Sequence, residues 1–176
     1  MNLWWAAPAN FGSGTLVRYE YSTNGTDWLS TGTATFVSVT WTTAPSPTQL
    51  VNGTSYTFRV RAVTTTGNGA SSQVNATPST WPPRPSFSGH TPGIGNVALR
   101  WDAQNTAATN GGAPILRFQI ERSVAFGAWA FTGETTGSAT TFTSTGLGSG
   151  HNVRFRIRSE NLNGWSDWST ELSVNL

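Results

Sequence analysis

The feature that most constrains the fold is an alternation of side chains that occurs twice. Tyr56, Phe58, Val60 and Ala62 alternate with Thr57, Arg59 and Arg61, the period of two that a strand with one buried face requires. Leu50 stands six residues ahead of Tyr56, with Asn52-Gly53 as turn residues between them. The arrangement returns as Leu147, Gly148-Ser149-Gly150 and Val153-Arg154-Phe155-Arg156-Ile157-Arg158. Phe155 follows Phe58 by 97 residues and Trp101 follows Trp5 by 96. The chain reads as two copies of one domain, each built around this strand.

A chain of 176 residues holds two such domains comfortably, since domains usually run from about 50 to 200 residues. Short segments rich in β-branched and aromatic residues recur, and helical periodicity is absent, so the expected class is all-β. In the first copy, strands are expected over Leu3–Ala7, over Leu16–Tyr21 with Val17, Tyr19 and Tyr21 on one face, and over Thr35–Trp41 and Ser71–Ala76. Asn24-Gly25 and Gly67-Asn68-Gly69 read as hairpin turns. The second copy is expected to run through Val97–Trp101, Ile115–Arg122, Trp129–Phe131, Thr140–Ser144, Val153–Ser159 and Glu171–Val174, with Gly146–Gly150 as a hairpin turn. Residues 1–78 form the first domain, 79–85 a semi-rigid linker with prolines at 82, 83 and 85, and 86–176 the second domain.

The residues that carry a family resemblance are Trp5 and Trp101 on an early strand, Tyr19-Glu20-Tyr21 and Phe118-Gln119-Ile120 on the next, and Leu50 with Tyr56 ahead of Phe58-Arg59-Val60-Arg61-Ala62. Over nearly its whole length the chain resembles tandem fibronectin type III domains, in a style similar to modules of bacteria and their phages. The resemblance implies two immunoglobulin-like antiparallel β-sandwiches. Leu50 and Tyr56 look like the family's tyrosine corner, in which the hydroxyl bonds back to upstream backbone. The second copy has Val153 at that place and lacks the hydroxyl. Trp165-Ser166-Asp167-Trp168-Ser169 resembles the W-S-x-W-S box of cytokine-receptor type III domains. Arg154, Arg156 and Arg158 share one strand face, and their guanidinium planes can stack between Trp165 and Trp168. We read this ladder as structural; a role in ligand contact is the alternative.

The copies differ at their starts. About sixteen residues separate the linker prolines from Trp101, room for a first strand near Arg84–Ser88, but only four residues precede Trp5. The first domain is therefore expected to lack its first strand. Either the chain is a segment of a longer one, or another subunit or segment completes the edge. Leu3, Trp4 and Trp81 are the candidates for contact between subunits or domains, with stacking on sugar rings as the alternative.

Other chemistry finds little footing. With no cysteine, disulfides and thiolate metal sites are excluded. All ten basic residues are arginine, and they face eight acids, a balance unlike that of a dedicated nucleic-acid binder. No apolar run reaches the roughly 18–20 residues of a membrane span, and no signal peptide is visible at Met1. His90 and His151 sit in glycine-bearing turn sequence away from any triad pattern, and no carboxylate pair has glycosidase character. The expectation is a non-enzymatic structural or adhesion module that needs no cofactor or metal and contacts neither nucleic acid nor membrane. Its expected place is the surface of a phage virion, as a capsid decoration or a tail or fibre appendage among other structural subunits, with host glycans as further partners. The alternatives are an accessory module of a secreted carbohydrate-active enzyme and an adhesin on a bacterial surface.

Overall fold

The computed structural model describes residues 1–176, and two compact units divide between Pro78 and Ser79. In the first, β1 (Asn2–Trp4), β2 (Leu16–Ser22), β3 (Leu29–Gly32), β4 (Phe36–Ser38), β5 (Tyr56–Thr64), β6 (Gly67–Asn68) and β7 (Ser72–Ala76) follow in order. β1 pairs with β4 alone, while β3, β2 and β5 form the second sheet, with β6 and β7 both on the far edge of β5. Leu3, Tyr21, Val39 and Phe58 fill the space between the sheets. Side chains alternating along β5 and β2 account for this core, because each second residue faces inward.

The second unit holds β8 (Phe87–Gly93), β9 (Asn96–Trp101), the single turn α1 (Ala107–Asn110), β10 (Arg117–Val124), β11 (Ala130–Thr136), β12 (Thr141–Thr145), β13 (Asn152–Asn161), β14 (Gly164–Trp165) and β15 (Leu172–Asn175). Here the smaller sheet has three strands, β12-β9-β8, and the larger runs β11-β10-β13 with β14 and β15 beyond β13. Val97, Leu99, Phe118, Ile120, Val153, Phe155 and Ile157 are wholly inaccessible. β13 supplies three of these through strict alternation over ten residues. The fold is thus all-β, a tandem of two sandwiches. The first has no counterpart of β8.

Several local features differ from the sequence-based expectation, each for a physical reason. Val17 is exposed although Tyr19 and Tyr21 are buried, because a bulge between Leu16 and Arg18 breaks the alternation at that point. The turn after β5 is Thr65-Thr66, and Gly67-Asn68 pair with Thr64 and Val63 as strand. Gly146–Gly150 is no hairpin. It crosses from β12 in one sheet to β13 in the other, pinned by the buried Leu147, whose amide donates to the Gly95 carbonyl at 3.0 Å. The first strand of the second unit starts at Phe87, later than Arg84, because Pro82, Pro83 and Pro85 have no amide to give a ladder. Residues 79–85 pack on the second unit: the Thr80 amide donates to the Gly111 carbonyl at 2.8 Å, and Gln104 Nε2 donates to the Pro83 carbonyl at 2.7 Å.

Candidate interaction surfaces

β13 sets the geometry of the most elaborate side-chain array. Its register on β10 places Arg158 opposite Gln119, Arg156 opposite Glu121, and Glu160 opposite Arg117, and directly opposed partners on one sheet face interact most strongly. Arg156 donates through Nε and Nη2 to Glu121 Oε2 at 2.9 and 2.6 Å. Arg158 Nε donates to Gln119 Oε1 at 2.7 Å, and Arg154 donates to Glu171 and Ser123, both at 3.0 Å. Their guanidinium edges are thereby occupied and their faces left for aromatic rings.

Those rings alternate with the arginines. Arg158 lies 4.4 Å from the Trp165 ring centre and 4.5 Å from that of Trp168. Arg156 lies 4.4 Å from both Trp168 and Trp129. Arg154 closes the series at 5.2 Å from Trp129 and 5.1 Å from Phe126. The serines of the Trp165–Ser169 segment explain how the indoles are held. Ser166 and Ser169 donate their amides to the Ser159 and Ile157 carbonyls at 2.8 Å each. Their hydroxyls accept from the Ser159 and Ile157 amides at 3.0 and 3.1 Å. Each serine thus seats one rung on the edge of β13 while its neighbouring tryptophan turns outward.

Sequence reasoning located Arg154, Arg156, Arg158, Trp165 and Trp168 but missed Trp129 and Phe126. Trp129 was within reach, because it follows the turn after β10 as Trp28 follows the Asn24-Gly25 turn after β2. Phe126 gives no such sign, since its left-handed backbone, φ 60°, depends on the turn itself.

The first unit carries a shorter version. Arg61 lies 4.0 Å over the Trp28 ring and donates to Glu20 Oε2 through Nε and Nη2 at 2.9 and 2.7 Å. Arg18 Nε adds a bond to Glu20 Oε1 at 2.8 Å. Burial opposes ionisation of Glu20, but the hydrogen bonds and charges of Arg61 and Arg18 outweigh it and hold the carboxyl below its ordinary range. At the start of β5, the Tyr56 hydroxyl accepts from the Val51 amide at 3.0 Å. Leu50 packs against the first unit's core.

The three contact candidates separate. Trp4 is 72% exposed and stands opposite Phe36, also exposed, on the outer face of β1 and β4. Leu3 is 8% exposed. Its side chain belongs to the core and its backbone pairs with Val37. Trp81 is 66% exposed and lies against Gly164, beside an open cleft of about 620 Å³ that Thr80, Pro82, Asn163, Trp165 and Asp167 also line.

In the second unit three strands face β11-β10-β13-β15, and the first repeats this arrangement less one strand. The fold is that of tandem immunoglobulin-like, fibronectin type III sandwiches. One solved structure agrees in architecture, and two more are similar in part. Domains A168–A170 of titin superpose with a TM-score of 0.55 at 17% identity, over 89% of this chain and 53% of that one. A two-domain fibronectin type III segment of chicken tenascin gives 0.48 at 14% identity, over 99% and 91%. The twitchin kinase region of C. elegans gives 0.47 at 26%, over 55% of this chain and 17% of that one. The chain thus spans about half of the titin segment and a small part of the twitchin one. No protein-family model and no curated protein matches the chain.

Proposed function

We propose that the chain is a non-catalytic structural and interaction module that works outside the cell, as a subunit on a phage particle. The observation that carries the non-catalytic reading is the use of its charges. Ten arginine and glutamate side chains on or beside the two large sheets, among them Glu20, Arg61, Glu121 and Arg156, are tied to one another in ion pairs, and most of these arginines lie on indoles. A charge held in this way stiffens a sheet face and is not free for proton transfer. The cysteine-free sequence supports the placement, because such a sandwich folds without an oxidising compartment and keeps its fold after release to the outside.

On this reading the partners are other structural subunits, and the role is capsid decoration or a tail or fibre appendage. Mass spectrometry of purified virions is the test. Stoichiometric presence of the chain is the expected result, and its absence from particles overturns the placement. One observation favours a second reading, glycan contact in the second unit: the exposed Trp81 ring beside the polar groups of Asn163 and Asp167 has the make-up of a sugar-stacking site. A glycan array probed with the chain and with Trp81→Ala decides it. Retention that depends on Trp81 supports this reading, and no retention removes it.

A further inference from the structure

We infer that the cleft beside Trp81 takes a neutral hexopyranose, stacked on the indole and held through two adjacent hydroxyls by the Asp167 carboxylate; this rests on the glycan-contact reading and names the class of sugar. The platform is built from the backbone outward. The Thr80 carbonyl accepts from Asn161 Nδ2 at 2.8 Å and from Asn163 Nδ2 at 3.1 Å, and Asn161 is itself buried. Pro82 follows Trp81 and restricts its backbone to extended conformations. Gly111 admits that backbone, since a Cβ there would stand 2.6 Å from the Trp81 carbonyl oxygen. The indole is seated as well. Its Nε1 and Cδ1 lie 3.5 and 3.6 Å from where a Cβ on Gly164 would be, and the φ of 122° at Gly164 suits glycine alone. Trp81 is thus ordered before a ligand arrives yet stays mostly exposed, so stacking on it costs little further conformational entropy.

The polar groups beside this plane are acceptors. All five glutamates pair with arginines, and Asp27 accepts from Asn24 and Thr26. Asp102 and Asp167 are the carboxylates left without a donor, and of the two Asp167 lines the cleft. Asn163 commits Nδ2 to Ser79 Oγ at 3.0 Å and to the Thr80 carbonyl, which leaves its Oδ1 open. A ligand that fits must bring donors at its edge and an apolar face to the indole. A pyranose has this form, with C–H groups on a face of the ring and hydroxyls around the rim. Two adjacent hydroxyls can donate to the two oxygens of one carboxylate, and a charged acceptor makes such bonds roughly twice as strong as neutral ones. A carboxylate on the sugar, by contrast, meets Asp167 as a like charge. No arginine lines the cleft to offset it. Arg158 and Arg117, against the Trp165 ring, are engaged by Gln119 and by Glu160 and Glu134. Acidic sugars are disfavoured on these grounds.

Size points the same way. The cleft's volume of about 620 Å³ falls in the range of about 300–1,000 Å³ usual for small-molecule sites. An arginine from a protein partner would also stack on Trp81 and pair with Asp167, but a guanidinium occupies a small part of such a space, and a sugar ring with its hydroxyls fills more of it. Trp165 adds no second platform, because Arg158 and Arg117 already lie 4.4 and 5.0 Å from its ring centre. Recognition therefore centres on one ring. A hexose of about twelve heavy atoms, at the binding efficiency ordinary for small ligands, has a Kd on the order of a few millimolar.

The test uses the full chain, isotope-labelled, and follows the Trp81 indole N–H by NMR, its resonance identified by its loss in Trp81→Ala. The probes are the methyl glycosides of glucose and galactose and of glucuronic and galacturonic acid, matched pairs in which a hydroxymethyl group becomes a carboxylate. At least one neutral glycoside is expected to shift the Trp81 resonance with a Kd of a few millimolar, about as estimated above, and its acidic twin to bind about fivefold more weakly. Asp167→Asn is expected to weaken the neutral sugar about tenfold and to abolish the discrimination between the twins. Trp81 and Asp167 are both exposed, so both variants keep the fold, and the other indole resonances check this. An acidic sugar bound as tightly as its neutral twin, or an Asp167→Asn variant that binds unchanged, overturns the inference and leaves Trp81-dependent glycan contact standing. No shift with any of the sugars overturns both. A shift with N-acetylarginine amide in place of the sugars overturns both in favour of a basic protein partner.

Discussion

Trp101 and Trp5 hold the same place in the two repeats, yet Trp101 is 2% exposed under β8 and Trp5 is only partly buried beside a half-open surface pocket. The ladders differ in the same direction. The second unit stacks four arginines, Arg117, Arg154, Arg156 and Arg158, among four aromatic rings, while the first has one stack, Arg61 on Trp28. Only the tyrosine corner favours the first unit, which has Tyr56 where the second has Val153. A shared topology therefore tolerates quite different allocations of stabilising contacts. One copy is closed and heavily braced, and the other is left with an unpaired edge.

The sharpest way to break this comparison is to truncate the matched tryptophans. Trp101→Ala is expected to cost about 3–5 kcal/mol, the usual range for a fully buried large aromatic, and Trp5→Ala less than about 3 kcal/mol. Urea unfolding followed by near-ultraviolet circular dichroism measures both. Equal losses would mean that the open edge leaves the core of the first unit unaffected.

Next in size are the ladders. Arg156→Ala removes two indole stacks and leaves Glu121 without the donor that satisfies it, for an expected loss of about 2–3 kcal/mol. Arg61→Ala removes one stack and is expected to cost about 1–2 kcal/mol. The order Arg156 over Arg61 in equilibrium unfolding supports bracing by stacked rungs; the reverse order contradicts it.

Smaller still is the corner. Tyr56→Phe deletes the hydroxyl that accepts from the Val51 amide, with an expected loss of about 0.5–1.5 kcal/mol. A double cycle with Leu50→Ala tells whether the bond and the packing act together.

The last contrast is in pH. Glu20 titrates below its ordinary value when folded, so the unfolded chain binds the proton first and stability falls as the solution is acidified. The contribution is complete at pH above the unfolded value of about 4.3 and is lost as pH drops through the folded one. Glu20→Gln is expected to flatten that acid limb in thermal unfolding scans between pH 6 and pH 2, values chosen to bracket the ordinary carboxylate range. An unchanged limb would show that Arg61 and Arg18 do not hold the charge.

Most of the architecture was legible in the chain because alternation and duplication are written in it directly. Val153, Phe155 and Ile157 alternate with arginines, and one period of two predicts both their burial and the shared face of the ladder. The missing first strand was legible too, from the different spacing ahead of Trp5 and Trp101. What escaped was set by tertiary geometry. The bulge that exposes Val17 depends on pairing with β5. Leu147 looks like a turn residue until the crossing between sheets gives it a buried berth. Leu3 and Trp4 are neighbours in sequence, but strand alternation sends the Leu3 side chain into the core and the Trp4 ring to the surface. Among the ladder residues, the serines of Trp165–Ser169 gave no sequence sign that they replace a paired strand on β13.

The account turns on one edge being open where its duplicate is closed, and amide exchange of the free full chain reads this residue by residue. The Trp5 amide, bonded to Thr35, and the Arg100 amide, on the side of β9 that β8 covers, are predicted to be protected. The Trp4 amide is predicted to exchange nearly as fast as in an unstructured peptide. Protection of Trp4 equal to that of Arg100, in the monomeric chain with nothing added, would contradict the open edge.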